Sequence, residues 1–315
     1  MTQIQPESSL KQKAAANGYL LIQTLMWGLS FIITKNVTAA MPASAFLALR
    51  FILAVLVLLP FYIRKLRNAM SPAFCKAALL LGGLVFISTA LQTYGLAHTS
   101  VTNSSFITST TVLLVPIFER VIFKKKLPRA LWLGCIAAFA GVTVLAGSVS
   151  LSFNLGDVMT ALCAVGFSLQ ILYAAKYAVQ FPADTIGVAQ LTMAALMFTA
   201  LWGVDGFSLT GFEAGFIGPL LFMSIINTSV GFVGQFVAYR YTDAAVASLI
   251  FSLEPIFATA FAMIIPDANG CCETLTFKTG IGGLLVLAGV AVAMWDAFRP
   301  KNTAGIREAI SETAE

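Results

Sequence analysis

Ten stretches of about twenty mostly apolar residues follow one another along this chain, separated by short polar or basic turns. They run at about 17–35, 44–63, 76–97, 103–123, 130–147, 157–177, 184–203, 214–238, 244–265 and 277–297. About 20 apolar residues in a helix cover the hydrocarbon core of a bilayer, and a helix satisfies its own backbone groups there. Barrel strands would instead alternate over segments of about ten residues. The pattern predicts an all-α integral membrane protein with ten transmembrane helices.

The second five segments carry landmarks of the first five. Pro42 stands eight residues before Arg50, and Pro182 stands eight before Gln190, 140 residues further on. Pro116 and Pro255 lie inside later segments, 139 apart; Gly134 and Gly141 are matched by Gly282 and Gly289 at 148. An odd number of spans per half makes the second half enter the membrane from the other side, giving two inverted five-helix repeats, a common plan of secondary transporters. The expected layout is a tail over 1–16, repeats over 17–147 and 157–297, and a tail over 298–315.

Composition agrees. Of 315 residues, 58% are hydrophobic and only 10% charged, against about 25% charged in soluble domains. The first span resembles a signal peptide, with Lys11 and Lys13 ahead of an apolar run and small residues near Ala39 and Ala40. Its counterpart over 157–177 is internal, so the first span is expected to stay as a helix.

The net charge of +5 does not call for nucleic acid, because its placement explains it. With the N-terminus cytoplasmic, 16 of the 19 Lys and Arg fall on one side, in the tails, around Arg64 to Lys76, around Arg120 to Arg129, and at Lys176 and Arg240. Such asymmetry predicts both termini inside. The five cysteines (Cys75, Cys135, Cys163, Cys271 and Cys272) make no metal-ligand pattern, and His98 stands without a second ligand or base. No nucleotide-binding loop is present. No catalytic residue, metal or cofactor is expected.

Three motifs resemble one family. Trp27-Gly-Leu-Ser-Phe-Ile-Ile-Thr-Lys35 lies in the first span, Tyr94-Gly-Leu-Ala-His-Thr-Ser-Val-Thr-Asn103 between spans three and four, and Ala244 to Pro255 leads into span nine. Together they resemble the EamA branch of the drug/metabolite transporter superfamily over residues 17–297. That resemblance implies small-molecule transport, commonly efflux, with spans one to four and six to nine around the solute path. Members often carry an acidic residue after the fourth and ninth spans; Glu273 suits the second copy, but the first has Lys125.

Charge inside the membrane is the strongest signal in the residues themselves. Arg50 lies about six residues into its span, roughly 9 Å deep at 1.5 Å per residue. Burying it costs between about 2.5 and more than 10 kcal/mol, so it either faces a cavity or partner or snorkels outward. Glu254 falls near the midplane beside Pro255, which frees the Phe251 carbonyl and favours a helix break. It is a candidate for a coupling proton or a structural carboxyl, and the proline alignment puts Val115 opposite it in the first copy. Trp27, Gln92, Asn103, Gln170, Tyr173, Asn227 and Gln235 would suit a cavity for an amphipathic solute, or serve as interhelical hydrogen-bond partners. The glycines of spans five and ten are expected to be close-packing surfaces.

The expected function is alternating-access transport of small metabolites, with export of amino acids or related amphipathic solutes first, and lipid, a small solute and protons as the partners. An exchanger of phosphorylated or nucleotide-linked sugars would need several cations in one cavity. A lipid-modifying membrane enzyme would need a nucleophile and base, and the sequence offers none.

Overall fold

A computed structural model describes residues 9–146, 154–272, 274 and 277–298 of the chain. Glu273 and the tail beyond Phe298 lie outside the described residues, which are helical, with no strand among them. The helices are α1 (Leu10–Ala40), α2 (Ala43–Ala69), α3 (Pro72–Leu96), α4 (Val101–Thr108), α5 (Thr111–Ile122), α6 (Arg129–Ala146), α7 (Leu155–Gln180), α8 (Ala183–Val204), α9 (Ile217–Phe222), α10 (Gly231–Ala238), α11 (Ala244–Phe251), α12 (Glu254–Ile264) and α13 (Phe277–Phe298). Between α9 and α10 the chain makes π-helical turns over Met223–Val230. With each interrupted helix taken as one span, eight are long and apolar enough to cross a membrane. The fifth and tenth expected spans fall on α6 and α13, whose apolar stretches, Arg129–Val144 and Gly280–Ala291, are shorter.

Local chemistry explains the ends. α1 begins seven residues before the apolar stretch because Ser9 and Gln12 close a capping box. Ser71 and Asn154 cap α3 and α7 by accepting from Phe74 N and Asp157 N. The turn from α1 to α2 and that from α7 to α8 are alike: an extended residue, Met41 or Phe181, then Pro42 or Pro182 at the cap of the next helix. Large apolar side chains such as Phe61, Ile87, Leu133 and Leu284 are exposed and face where lipid would lie.

The two spans with internal breaks reverse one expectation. α4 gives way to α5 at Ser109–Thr110, and α11 to α12 at Ser252–Leu253. Both first pieces have eight residues, so the breaks align at an offset of 143, not 139. Thr111, not Val115, therefore stands opposite Glu254. The prolines misled the alignment because they play different parts: Pro255 occupies the first turn of α12, where its missing N–H costs nothing, while Pro116 lies within α5.

Glycines set the closest approach of helices. A Cβ at Gly141 would meet Val286 N and Gly282 O, and one at Gly289 would meet Ala138 N and Gly134 O. α6 and α13 thus touch backbone to backbone along a small-residue seam. Replacing Gly141 by Val should overpack it and cost about 1–3 kcal/mol, seen as a clear drop in the thermal midpoint in detergent. Gly280→Ala, with nothing within 4 Å of the added carbon, should leave the midpoint unchanged.

Candidate functional site

Between the two breaks lies a cavity of about 50 Å³, room for roughly three to four water-sized spheres. Its wall takes one stretch from each of several helices. α1 supplies Trp27, Ser30, Phe31 and Thr34; α3 supplies Thr89, Gln92, Thr93 and Leu96; α7 supplies Phe167, Gln170 and Ile171. Arg50, Asn227 and Phe232 close one side, and Thr108, Thr111, Phe251 and Glu254 come from the breaks. The lining runs toward the ends of α1 and α3 that lie away from the basic loops. On the basic side a tightly packed core, including Leu20, Val112, Phe236, Tyr239 and Leu249, fills the space instead.

Arg50 is 6% exposed and faces the cavity. Its Nε donates to Thr228 Oγ1 at 2.6 Å and its Nη2 to Asn227 Oδ1 at 2.7 Å. Its guanidinium carbon lies 5.6 Å from the Phe51 ring centroid. The π-helical turns bring both acceptors into place. They widen the helix by one residue per turn, so that Thr228 Oγ1 donates to Met223 O and Ser229 Oγ to Ser224 O, each five residues back. Ser229 Oγ also reaches Ala54 O on α2. Asn227 Nδ2 donates to Met26 O at 3.0 Å, which orients its oxygen toward Arg50.

Glu254 is the second ionisable group on the cavity wall. It is 7% exposed and, among the described residues, makes no hydrogen bond or ion pair. It opens α12, and Pro255 has no N–H for the Phe251 carbonyl. Arg50 and Glu254 line one cavity without a direct ion pair between them. Five aromatic rings share it: Trp27, Phe31, Phe167, Phe232 and Phe251, with Trp27 centred 5.5 Å from Phe232 and 5.1 Å from Phe251.

Of the residues expected at a site, Trp27, Arg50, Gln92, Gln170, Asn227 and Glu254 line the cavity. Three lie outside its wall. Gln235 is one layer behind, in a buried row in which Gln23 Nε2 meets Gln235 Oε1 and Gln235 Nε2 meets Gln170 Oε1, both at 3.5 Å, and Gln170 Nε2 donates to Gln190 Oε1 at 3.1 Å. Gln235 Nε2 also contacts Tyr239 Oη. Asn103 is drawn to the start of α7, where Nδ2 donates to Asp157 Oδ1 at 2.5 Å. Tyr173 turns toward the basic end and stacks on Tyr177 at 6.2 Å. Thr228, Thr111 and the rings of Phe232 and Phe251 were not singled out from the sequence. A run of Asn, Thr and Ser inside an apolar span was the available signal for Thr228.

Comparison with known proteins bears on the same layout. The signature of the EamA-like transporter family matches residues 15–147 and again 154–295. The chain belongs to the EamA-like transporter family. It is 30% identical over 295 residues to an uncharacterized transporter of Archaeoglobus fulgidus, covering 90% of each chain. It is 27% identical over 303 residues to the uncharacterized transporter YvbV of Bacillus subtilis, covering 92% of this chain and 95% of that one. A crystal structure superimposes with a TM-score of 0.74 at 16% identity, over 92% of this chain and 99% of the other, and shows a shared fold. This EamA protein is a multi-pass membrane transporter.

Thr228→Val keeps the shape of the side chain and removes an acceptor from a buried guanidinium. Hydrogen bonds to charged groups contribute about 1.5–3 kcal/mol, so a fall of that size in unfolding free energy is expected from thermal or denaturant melts. A change below about 0.5 kcal/mol would show that Arg50 finds another partner.

Proposed function

We propose that this transporter exports small amphipathic solutes, amino acids or close relatives, by alternating access of ten helices arranged as two inverted halves, 17–147 and 157–297. The observation that carries the substrate class is the presence of one basic and one acidic side chain on the same cavity wall, not bonded to each other. Arg50 presents remaining guanidinium N–H groups, Glu254 an unmatched carboxyl, and the rings around Trp27 an apolar lining. A zwitterion with an apolar side chain complements all three. The twofold family match, the two alike proline turns and the aligned breaks support the inverted-repeat layout.

The sugar-phosphate alternative draws no support from the cavity. Lys35 donates to Thr99 O at 2.9 Å and Lys176 sits over the rings of Phe123, Tyr173 and Tyr177, so Arg50 alone supplies a cation to the lining. A lipid-modifying enzyme finds no nucleophile and base together among the lining residues. Both termini are assigned to the cytoplasmic side from the basic loops. A single cysteine placed at residue 126 should be shielded from impermeant reagents in intact cells; labelling from outside would reverse the orientation.

Flux of labelled solutes into liposomes, with and without a pH gradient, tests the reading. Apolar and aromatic amino acids should move, and Arg50→Gln should slow them at least about tenfold, the equivalent of about 1.4 kcal/mol. Transport of sugar phosphates in preference to amino acids would overturn the substrate class. Glu254 is the candidate for a coupling proton because it is buried, unpaired and at a helix break. Glu254→Gln should then abolish gradient-driven accumulation while counterflow persists. If the gradient drives the variant as it does the parent, the carboxyl is structural.

A further inference from the structure

The broken spans meet twice. On the far side from the basic loops α4 lies against α12, and on the basic side α5 lies against α11. The two crossings are tied by different chemistry. At the first, Thr102 and Thr259 share a neutral hydroxyl contact at 3.2 Å. At the second, Lys125 Nζ donates to Glu119 Oε1 at 3.0 Å and to Asp243 Oδ1 at 2.6 Å. Glu119 is in the last turn of α5 and buried; Asp243 is the capping residue of α11. One ammonium therefore staples the end of one half-helix to the beginning of the other.

The backbone is bent to make this possible. Lys124 has φ of 53°, a left-handed conformation uncommon outside glycine. Phe123 N and Lys125 N both donate to Glu119 O at 3.2 Å, which turns the chain back so that the Lys125 side chain returns to its own helix. Burial by itself would lower the Lys125 pKa, but Asp243 and Glu119 outweigh it and hold it above the ordinary lysine value. The ammonium stays charged across the physiological range. This is also the position at which the first half departs from the acidic residue that the family resemblance leads one to expect.

We propose that Lys125 is the gating residue of the transport cycle: its bridge between Glu119 and Asp243 keeps the cavity shut toward the basic loops, and parting from Asp243 lets α5 and α11 separate there. The other crossing lacks an ion pair between described side chains, so the protein rests with its cavity directed to the far side, as the lining toward Thr34 and Leu96 indicates. The inference rests on the reading of alternating access, but its test need not measure transport.

The test places a reporter, Thr111→Cys, on the cavity wall of the full chain, with exposed Cys75, Cys271 and Cys272 changed to Ser. An impermeant maleimide is then applied from either face of oriented vesicles. Lys125→Met should raise labelling from the basic-loop face about tenfold. Asp243→Asn, at an N-cap position whose side chain makes no capping bond to α11, should raise it less but in the same direction. Lys125→Arg, which can hold both carboxylates, should remain within about twofold of the parent. If both Lys125→Met and Asp243→Asn fold, judged by elution and melting, and label like the parent from both faces, Lys125 is not a gate. Changed labelling in a protein that moves no solute would keep the gate and overturn the transport reading.

Discussion

A guanidinium inside hydrocarbon must be surrounded by acceptors, and the middle of this protein is arranged around that requirement. Arg50 finds its acceptors on a helix that has surrendered α-helical regularity to offer them. π-helical turns are rare and recur at functional sites because they re-aim side chains by one position. Here they do so for two neighbours at once, and Asn227 is further tied to Met26 O on α1. Three spans are joined at one point, and the wall of the cavity follows from their junction.

The second constraint is the backbone itself. Irregular chain is tolerated at membrane depth only where protein buries it or a cavity receives it. Both breaks meet that condition, since Thr108, Thr111, Phe251 and Glu254 all border the same space. A carboxyl at such a break is doubly exceptional, being ionisable and without a hydrogen-bond or ion-pair partner among the described residues. Breaks also supply a hinge. Half-helices joined by two residues can tilt independently, as the discontinuous helices of secondary transporters do.

The seam between α6 and α13 does the opposite. Small residues allow backbone contact there, and among the described residues neither helix contributes to the cavity lining. A closely packed pair thus stands apart from the interrupted helices that line the cavity. The ion pairs on Lys125 lie between the interrupted spans and not on this seam, and contacts so exposed to solvent are of modest strength.

Much of the architecture was legible in the chain because the bilayer is a severe solvent. Apolar length marked eight of the ten expected spans, glycine spacing marked the α6–α13 seam, and Pro255 marked the break beside Glu254. The anomalous residues Arg50 and Glu254 were legible for the same reason: charge in an apolar run has few explanations. What the tertiary structure alone decided was partnership. Proline spacing misaligned the halves by four residues, since a proline tolerated within α5 looks in sequence like one that begins a half-helix. Thr228 became visible only when the π-helical turns placed it on Arg50; Asn103 and Tyr173 took partners away from the cavity, and Gln235 packs behind its wall against Gln170. Burial of a polar residue follows from local sequence. Which neighbour satisfies it depends on distances between helices well separated in the chain, and those are set by packing.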